Sequence, residues 1–330
     1  MAHLTERRRL LMAMAALASS AALPRAALAA EFPDKSLRFI VPFNAGGNVD
    51  GVGRLLAAAM GPALGQAIVV ENRAGAGGSL GAGFVARGPA DGYTLLVGSN
   101  GPLTINPFVQ ANLPYDPLKD FAPIGLAGVV PHVLVANKDL PAKTLQELIA
   151  LSRKQAIGCG SSGVGSATHL TLERFNVASG AHLNHVPYRG GNSLVPDLLG
   201  GSVPTASMEF STALPLHKAG NARIIAVAST HRSELAPDVP TFIEGGVKDF
   251  TAQSYVGLLA PARTPEAVQR KLESTFLAAL GTAALAQHMQ SLGLEVAGPQ
   301  QRGSAAFRAF LQTDYAQSRD AVRVAGLKPE

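Results

Sequence analysis

Short apolar runs alternate with amphipathic segments along most of the chain. Seven runs rich in β-branched and apolar residues predict strands: LRFIVPF, AIVVE, TLLVG, HVLVA, AIGCG, LNHVP and RIIAVA. The first helical repeat is formed by four apolar residues: Leu55, Leu56, Ala59 and Met60. Thr144 and Glu147 form a capping-box pattern, and Thr264-Pro265 predicts a helix with proline at its first position. The alternation predicts right-handed βαβ units, a mostly parallel sheet and an α/β fold.

Three loops rich in glycine and serine each follow a predicted strand and precede a predicted helix. They read FNAGGNVD, GSNGPLTIN and CGSSGVGSATHL. In open α/β sheets the ligand lies at the carboxyl ends of the strands, where backbone N–H groups at a helix start attract anions. The three loops therefore predict one shared anionic ligand.

The first 29 residues have the pattern of a cleavable export signal. A basic run at residues 7–9 precedes an apolar run at residues 10–23, and Ala-Leu-Ala follows at residues 27–29. The two arginines at the start of the basic run fit twin-arginine export, and Sec export fits as well. A buried N-terminal helix is the alternative. Export predicts a periplasmic location.

Removal of that segment leaves a protein with little net charge. The segment holds four arginines and one glutamate, so the formal net charge falls from +5 to +2. The chain has no tryptophan and no Lys/Arg stripe interleaved with aromatic residues, so we expect no nucleic-acid partner. No run beyond the N-terminus reaches the ~18 uninterrupted apolar residues of a membrane span, so we expect a soluble body.

The loops lack the motifs of common enzyme and cofactor sites. Ser166 stands where a GxxxxGK[ST] phosphate loop needs lysine, and no Gly-x-Ser-x-Gly elbow can be read through Ser161 or Ser162. Leu80 stands where a GxGxxG dinucleotide motif needs glycine. We expect no cofactor and no catalytic residue.

Metal binding and thiol chemistry also find little support. His182 and His185 are three residues apart, but no third ligand or HExxH pattern accompanies them. Cys159 is the single cysteine, so it cannot form an internal disulfide, and it lies at a strand end without a readable His/Asn context. We expect no metal and a small buried thiol.

Ordered motifs along the whole mature chain resemble the receptors of tripartite tricarboxylate transporters, the Bug-type or TctC-like proteins. They include IVPFNAGGNVD, VVENRAGAGGSLGA, ARGPADGYTLLVG, LPYDPLKDFAPIG, SSGVGSATHL, HVPYRGG, VPDLLGGSV and YVGLLAPARTP. The resemblance implies a type II periplasmic binding fold of two α/β domains with a ligand cleft between them. It implies a first domain of residues 30–130 and 255–330 and a second of residues 131–254, with crossing segments near residues 129–135 and 255–260.

The resemblance also implies the function. The protein would be a receptor, and no enzyme, that captures a small organic acid by hinge closure and delivers it to membrane permease subunits. We expect a monomer. Two alternatives stay open: a receptor that feeds a membrane sensor kinase, and an exported α/β enzyme that acts on a carboxylate through His169, Ser166 or Cys159.

Site residues follow from the resemblance position by position, with backbone amides holding a carboxylate. They are Phe43, Asn44, Ala45, Gly46, Gly47, Asn48, Asp50, Ser99, Asn100, Ser161, Ser162, Gly163, Gly165, Ser166 and Met208. Several have a plainer interpretation: Gly46 and Gly47 permit tight turns, Asp50 caps the next helix, and Ser161 and Ser166 cap the helix after the third loop. Arg189 could pair with a ligand carboxylate or lie solvated.

The chain departs from the family pattern at two places. Asn44 replaces a proline, and Asn48-Val49 replaces Gly-Thr, which would alter the polar contacts of the ligand. Met208 falls where many relatives carry aspartate, which favours a ligand without an ammonium group. The alternative is that Glu209 serves there after a shift of one residue, because adjacent strand residues face opposite sides.

Overall fold

The computed structural model describes residues 32–329. The predicted signal peptide, residues 1–29, lies outside this range. Contacts divide the chain into a unit that ends at Asp34 and a unit that begins at Lys35, and every element named below belongs to the second. Among the described helices, none has the length and apolar character needed to cross a bilayer.

Strands and helices alternate over most of the described chain. The strands are β1 Leu37–Val41, β2 Ile68–Asn72, β3 Thr94–Gly98, β4 Phe121–Asn137, β5 Ile157–Ser161, β6 Leu183–Pro187, β7 Thr205–Glu209, β8 Ala222–Val227, β9 Gln253–Pro261 and β10 Glu295–Val296. The helices are α1 Asn48–Leu64, α2 Ser79–Ala86, α3 Asn106–Val109, α4 Leu145–Ser152, α5 Ala167–Ser179, α6 Val195–Gly200, α7 Phe210–Lys218, α8 Glu266–Leu280, α9 Ala283–Ser291 and α10 Ser304–Val324.

The strands form one sheet that β4 divides into two halves. The order is β2-β1-β3-β9-β4-β7-β5-β6, and β8 and β10 also pair with β4. Up to Pro131, which pairs with Gln253, β4 bonds to β9; from His132 onward it bonds to β7 and β8. We call the half built on β1, β2, β3, β9 and β10 lobe A, and the half built on β5, β6, β7 and β8 lobe B.

The sheet is mixed, and the prediction of a mostly parallel sheet was wrong. β1 runs parallel to β2 and β3, and β5 runs parallel to β6 and β7. β4 and β9 run antiparallel to their neighbours. The physical reason is that β4 passes from one lobe to the other and β9 returns, so neither belongs to a βαβ repeat. β7, β9 and β10 were not among the seven predicted strands.

The predicted helix starts differ in how closely they match. The capping box at α4 is confirmed, since Thr144 Oγ1 accepts the Glu147 N–H at 3.2 Å and Glu147 Oε2 accepts the Thr144 N–H at 3.2 Å. In α8 Pro265 has the extended backbone of an N-cap, so the first helical residue is Glu266, one residue later than predicted.

Each lobe has its own hydrophobic core. In lobe A, Tyr255 packs edge-on against Phe307 with ring centroids 6.0 Å apart. In lobe B, Phe175 packs edge-on against Phe242 at 5.4 Å. Cys159 lies in the lobe B core, where burial raises the pKa of its thiol to about 12 and keeps it protonated. Separate cores allow each lobe to behave as a rigid body.

Candidate ligand-binding cleft

The three predicted loops meet at one cavity between the lobes. The loop after β1 and the loop after β3 belong to lobe A, and the loop after β5 belongs to lobe B. Residues of all three loops line the cavity, together with two further residues of lobe B and one of β9. They are Phe43, Gly47, Asn48, Val49, Ser99, Gly101, Ser162, Ser166, Ala167, Gly191, Glu209 and Ser254. The N-termini of α1 and α5 therefore open into the same space.

Asp50 shapes the first loop from behind. Its carboxylate accepts the Gly46 N–H at 2.9 Å, both nitrogens of an Arg54 fork at 2.9 and 3.0 Å, and the Asn72 amide at 2.8 Å. Burial alone would raise the pKa of Asp50, but these hydrogen bonds outweigh burial and hold the pKa below its usual value. Asp50 is thus an ionised support of the loop, and it does not line the cavity.

The first turn of α1 presents free donors to the cavity. Its N-cap is Gly47, which has no side chain to accept from the helix, so the N–H groups of Asn48 and Val49 have no intrahelical partner. Asn48 Oδ1 accepts the Ser211 hydroxyl at 3.2 Å from lobe B. Asn48 Nδ2 is buried and lacks a hydrogen-bond partner within the described residues. These donors add to the positive end of the helix dipole.

The three serines of the third loop have different contacts. Ser166 Oγ caps α5 by accepting the His169 N–H at 3.2 Å. Ser161 Oγ accepts the Gly163 N–H at 3.1 Å and bonds to His185 Nε2 at 2.6 Å, so it supports the loop from the sheet side. Ser162 Oγ lines the cavity, is buried, and has no partner in the described part of the chain.

Two loop glycines lie where the lobes approach each other closely. The Gly165 N–H donates to His169 Nδ1 at 3.3 Å, and a side-chain carbon on Gly165 would lie 2.1 Å from Asn106 Oδ1 of lobe A. A side-chain carbon on Gly77 would lie 2.4 Å from the carbonyl oxygen of Val164. Both glycines have positive φ, which together with the contact excludes larger residues.

Ser99 and Asn100 have different positions. Ser99 lines the cavity, whereas Asn100 is used inside the protein. Asn100 Oδ1 accepts the Tyr255 N–H at 3.0 Å, and Asn100 Nδ2 donates to Asp314 at 3.2 Å. Burial raises the pKa of Asp314 in spite of its hydrogen bonds from Thr104 and Asn100. Asn100 thus ties β9 to α10.

The end of β7 places a carboxyl group in the cavity. Met208 pairs with Val133, is fully buried and does not line the cavity, whereas Glu209, one residue on, does. Ser254 Oγ donates to Glu209 Oε1 at 3.5 Å and lies 2.7 Å from His132 Nε2. Sequence reasoning did not anticipate Ser254 or His132, because contacts between β4, β7 and β9 leave no local pattern.

Loops of the two lobes touch directly. The Asn44 N–H donates to the Arg189 carbonyl at 3.1 Å, and Asn192 Nδ2 donates to the Ala45 carbonyl at 3.4 Å. The cavity that remains between the lobes has a volume of about 20 Å³, which is room for about one water molecule. A second cavity of about 250 Å³ lies beside the first and shares Phe43 and Ser162 with it. The lobes are therefore in a closed arrangement.

Three side chains behind the third loop could in principle hold a metal ion. His169, Glu173 and His185 each place a ligand atom within 4.8 Å of the others. The imidazoles of His169 and His185 are stacked at 3.9 Å with their planes 18° apart, so their in-plane lone pairs do not converge on one point. Burial lowers the pKa of His169 to about 3 and that of His185 to about 4, and both rings are neutral. The stack supports the loop.

The proposed catalytic groups do not assemble. Ser166 Oγ bonds to the backbone of His169 and to Thr168, while the His169 ring bonds to the Gly165 N–H. Cys159 is buried in the lobe B core. A serine or cysteine nucleophile needs a base within hydrogen-bond reach of its side chain. These side chains are all used in supporting the fold.

Comparison with known proteins identifies the family. The model of the tripartite tricarboxylate transporter family receptor, TctC, matches residues 52–327. The chain belongs to this family. The receptor is 34% identical to protein BugT of Bordetella pertussis over 325 residues, which cover 97% of this chain and 98% of BugT.

Solved structures agree with the family assignment. Rpa4515 of Rhodopseudomonas palustris, solved with adipate, is 31% identical, with a TM-score of 0.86 over 91% of this chain and 100% of that one. MatC from Rhodopseudomonas palustris, solved with bound malate, is 32% identical, with a TM-score of 0.85 over 88% of this chain and 100% of that one. The receptor has the type II periplasmic binding protein fold, with two α/β lobes around a cleft.

Proposed function

We propose that this receptor works in the periplasm as a monomer, captures a small organic acid between its lobes, and delivers it to the permease subunits of a tripartite transporter. The observation that supports the proposal best is the cavity, which is lined by two helix N-termini and by Asn48 and Ser162, whose Nδ2 and Oγ atoms lack partners among the described residues. Buried polar atoms without partners cost roughly 1–3 kcal/mol each, so a ligand that bonds to them gains affinity.

The chemistry of the cavity favours a carboxylate. Backbone N–H groups at a helix start stabilise an anion without any cationic side chain. The cavity-lining residues of the described chain include no lysine and no arginine. Adipate and malate, with which two of the similar proteins were solved, are both dicarboxylates. We propose that this receptor, too, binds an acid of that class, with one carboxylate between the helix starts of α1 and α5.

A second group of the acid would extend into the neighbouring cavity. That cavity is lined by Gly75–Gly78 of lobe A and by Val164, Tyr188 and Arg189 of lobe B. The exposed Arg189 is the cationic side chain that lines this cavity, and it would pair with a distal carboxylate of the ligand. A dicarboxylate would thus contact both lobes along its whole length.

Closure follows from contacts to both lobes. An acid that bonds to α1 and to α5 is fully bound only when the lobes meet, so its binding free energy shifts the population toward the closed form. We propose that the domain boundaries lie within the crossing strands β4 and β9: residues 30–130 and 255–330 form the domain that contains lobe A, and residues 131–254, with the first two residues of β9, form the domain that contains lobe B. The change of strand pairing at Pro131 and His132 supports the first crossing.

The test is a ligand screen on residues 30–330. The protein is unfolded and refolded to remove bound ligand, and its melting temperature is measured with mono-, di- and tricarboxylates, aromatic acids, amino acids and neutral sugars. A ligand that binds only the folded state raises the melting temperature by mass action. We expect a saturable rise with one class of acid and no product in the recovered ligand. A rise with sugars alone, or with no compound, would contradict the proposal.

A further inference from the structure

Glu209 is the unusual member of a cavity built for an anion. It is the one acidic or basic side chain among the lining residues of the described chain. A side-chain carbon on Gly191 would lie 3.1 Å from Glu209 Oε2 and 3.4 Å from Ser162 Oγ, so both oxygens flank the same point. An acid whose carboxylate bonds to Ser162 therefore comes close to the Glu209 carboxyl group.

Two ionised carboxylates cannot share this space at low cost. Like charges a few ångströms apart in a water-excluded site repel, and one of them takes up a proton. Glu209 is buried, and its carboxyl group accepts from its own backbone N–H and, over a long 3.5 Å, from the Ser254 hydroxyl. The cavity offers no cation to compensate a second negative charge.

We propose that Glu209 is protonated when the lobes close and donates a hydrogen bond to the carboxylate of the ligand, so that binding of one acid molecule takes up one proton. The inference rests on the proposed function. In an open cleft the carboxyl group would be exposed to water and ionised at neutral pH. Closure removes that water, and the proton that Glu209 gains comes from solvent.

The groups around Glu209 do not offer another origin for the proton. His132 of β4 faces it through Ser254, at 2.7 Å from the Ser254 hydroxyl, and its other ring nitrogen lies 2.6 Å from Thr171 Oγ1. Burial, together with the positive charge of Arg174, lowers the pKa of His132 to about 3, so the ring is neutral. The starts of α1 and α5 and the segment at Gly191 present no titratable side chain to the cavity.

The uptake of a proton by Glu209 means that the affinity for the acid falls as the pH rises. Burial raises the pKa of Glu209 in the closed form above its ordinary value of about 4.3. Between these two pKa values, each rise of one pH unit weakens binding by up to tenfold, because a proton must be taken up. Above the higher pKa, the complex holds two charges and its affinity is lowest.

The experiment compares the receptor with its Glu209→Gln variant, which keeps the shape and the donor and removes the titration. The probes are adipate and malate, together with any acid that raises the melting temperature in the screen. Dissociation constants are measured by calorimetry at pH 6, 7 and 8, in two buffers of different ionisation enthalpy, which gives the number of protons taken up. Titration of the acid itself is common to both proteins, so their difference isolates Glu209. Glu295→Gln, at an exposed position that does not line this cavity, is the matched control.

We expect the receptor and the control to bind up to 100-fold more weakly at pH 8 than at pH 6 and to take up close to one proton. Glu209→Gln is expected to bind equally at the three pH values and more tightly than the receptor at pH 8. Equal pH dependence in the receptor, the control and Glu209→Gln would overturn the inference. Loss of binding by Glu209→Gln at every pH would overturn it as well, because it would mean that Glu209 is ionised and accepts a hydrogen bond from the ligand. If no acid binds to the receptor or to the variant, the proposed function itself fails, and the inference with it.

Discussion

At the scale of the residue, the cleft is marked by side chains that the folded protein leaves unused. Ser161 bonds to His185 of β6 and Ser166 caps α5, whereas Ser162 is buried without a partner among the described residues. The three serines are equivalent in the sequence motif, and only their orientation separates them. A buried hydroxyl without a hydrogen-bond partner lowers the stability of the free protein, and a ligand that bonds to it stabilises the complex.

Ser162→Ala tests this difference. Because its hydroxyl lacks a partner in the free protein, we expect the free energy of unfolding to stay unchanged or to rise slightly. The affinity for the acid should fall by about 1–2 kcal/mol, or roughly 5- to 30-fold. Urea unfolding and calorimetry measure the two quantities. Thr144→Ala is the control, since it removes the cap of α4 far from the cleft and should cost about 1 kcal/mol of stability without a change in affinity. A Ser162→Ala protein that is less stable but binds normally would contradict the assignment.

At the scale of the element, closure depends on loops that approach without side chains. Gly77 precedes α2 in lobe A, and its Cα faces the Val164 carbonyl of the third loop in lobe B. A backbone carbonyl cannot rotate away as a flexible side chain can. The glycine therefore controls how closely the lobes meet.

Gly77→Ala should hinder closure. An alanine at positive φ costs about 1–2 kcal/mol wherever it stands, and here its methyl group would also meet the Val164 carbonyl. Gly65→Ala is the matched control, because Gly65 has a similar φ and open space around it. We expect both variants to lose stability through the positive φ, with an added loss in Gly77→Ala from the crowding of Asn106, and Gly77→Ala alone to lose at least about tenfold in affinity. Solution scattering should show it to be less compact than the control with the acid present. Equal affinities of the two variants would exclude this role.

At the scale of the whole molecule, buried neutral histidines connect stability to pH. His132 lies where β4 passes from lobe A to lobe B and bonds to Ser254 of β9 and Thr171 of α5. Its pKa of about 3 in the folded protein is far below the ordinary 6.5 of an unfolded chain. The unfolded state thus binds more protons between these values.

Stability should therefore fall as the pH is lowered from about 6.5 toward 3. His132 contributes at most one proton to the slope, or about 1.4 kcal/mol per pH unit, and His169 and His185 act in the same direction. The free energy of unfolding is measured between pH 4.5 and 7 for the receptor, for His132→Gln and for the control His231→Gln at an exposed position. We expect His132→Gln to have a shallower slope by up to one proton. A slope equal to that of the control would show that His132 is not buried and neutral.

Much of the α/β architecture could be read from local patterns. Each of the seven apolar runs overlaps a strand, and the Thr144 capping box forms as its spacing predicts. The mixed sheet could not be read in this way, because the direction of β4 and β9 depends on partners far away in the chain. β9 was assigned to a crossing segment, and its place at the centre of the sheet was not predicted.

The sequence by itself determined the receptor family, the three glycine- and serine-rich loops and the alternation of strands and helices, because these depend on residues that are neighbours in the chain. Only the tertiary structure decided which loop atoms meet. It turned Ser161 and Asn100 toward internal partners, left Ser162 free, and placed Glu209 in the cavity with Met208 in the core. The physical reason is that strand register and lobe contact orient each side chain, and a shift of one residue exchanges the two faces.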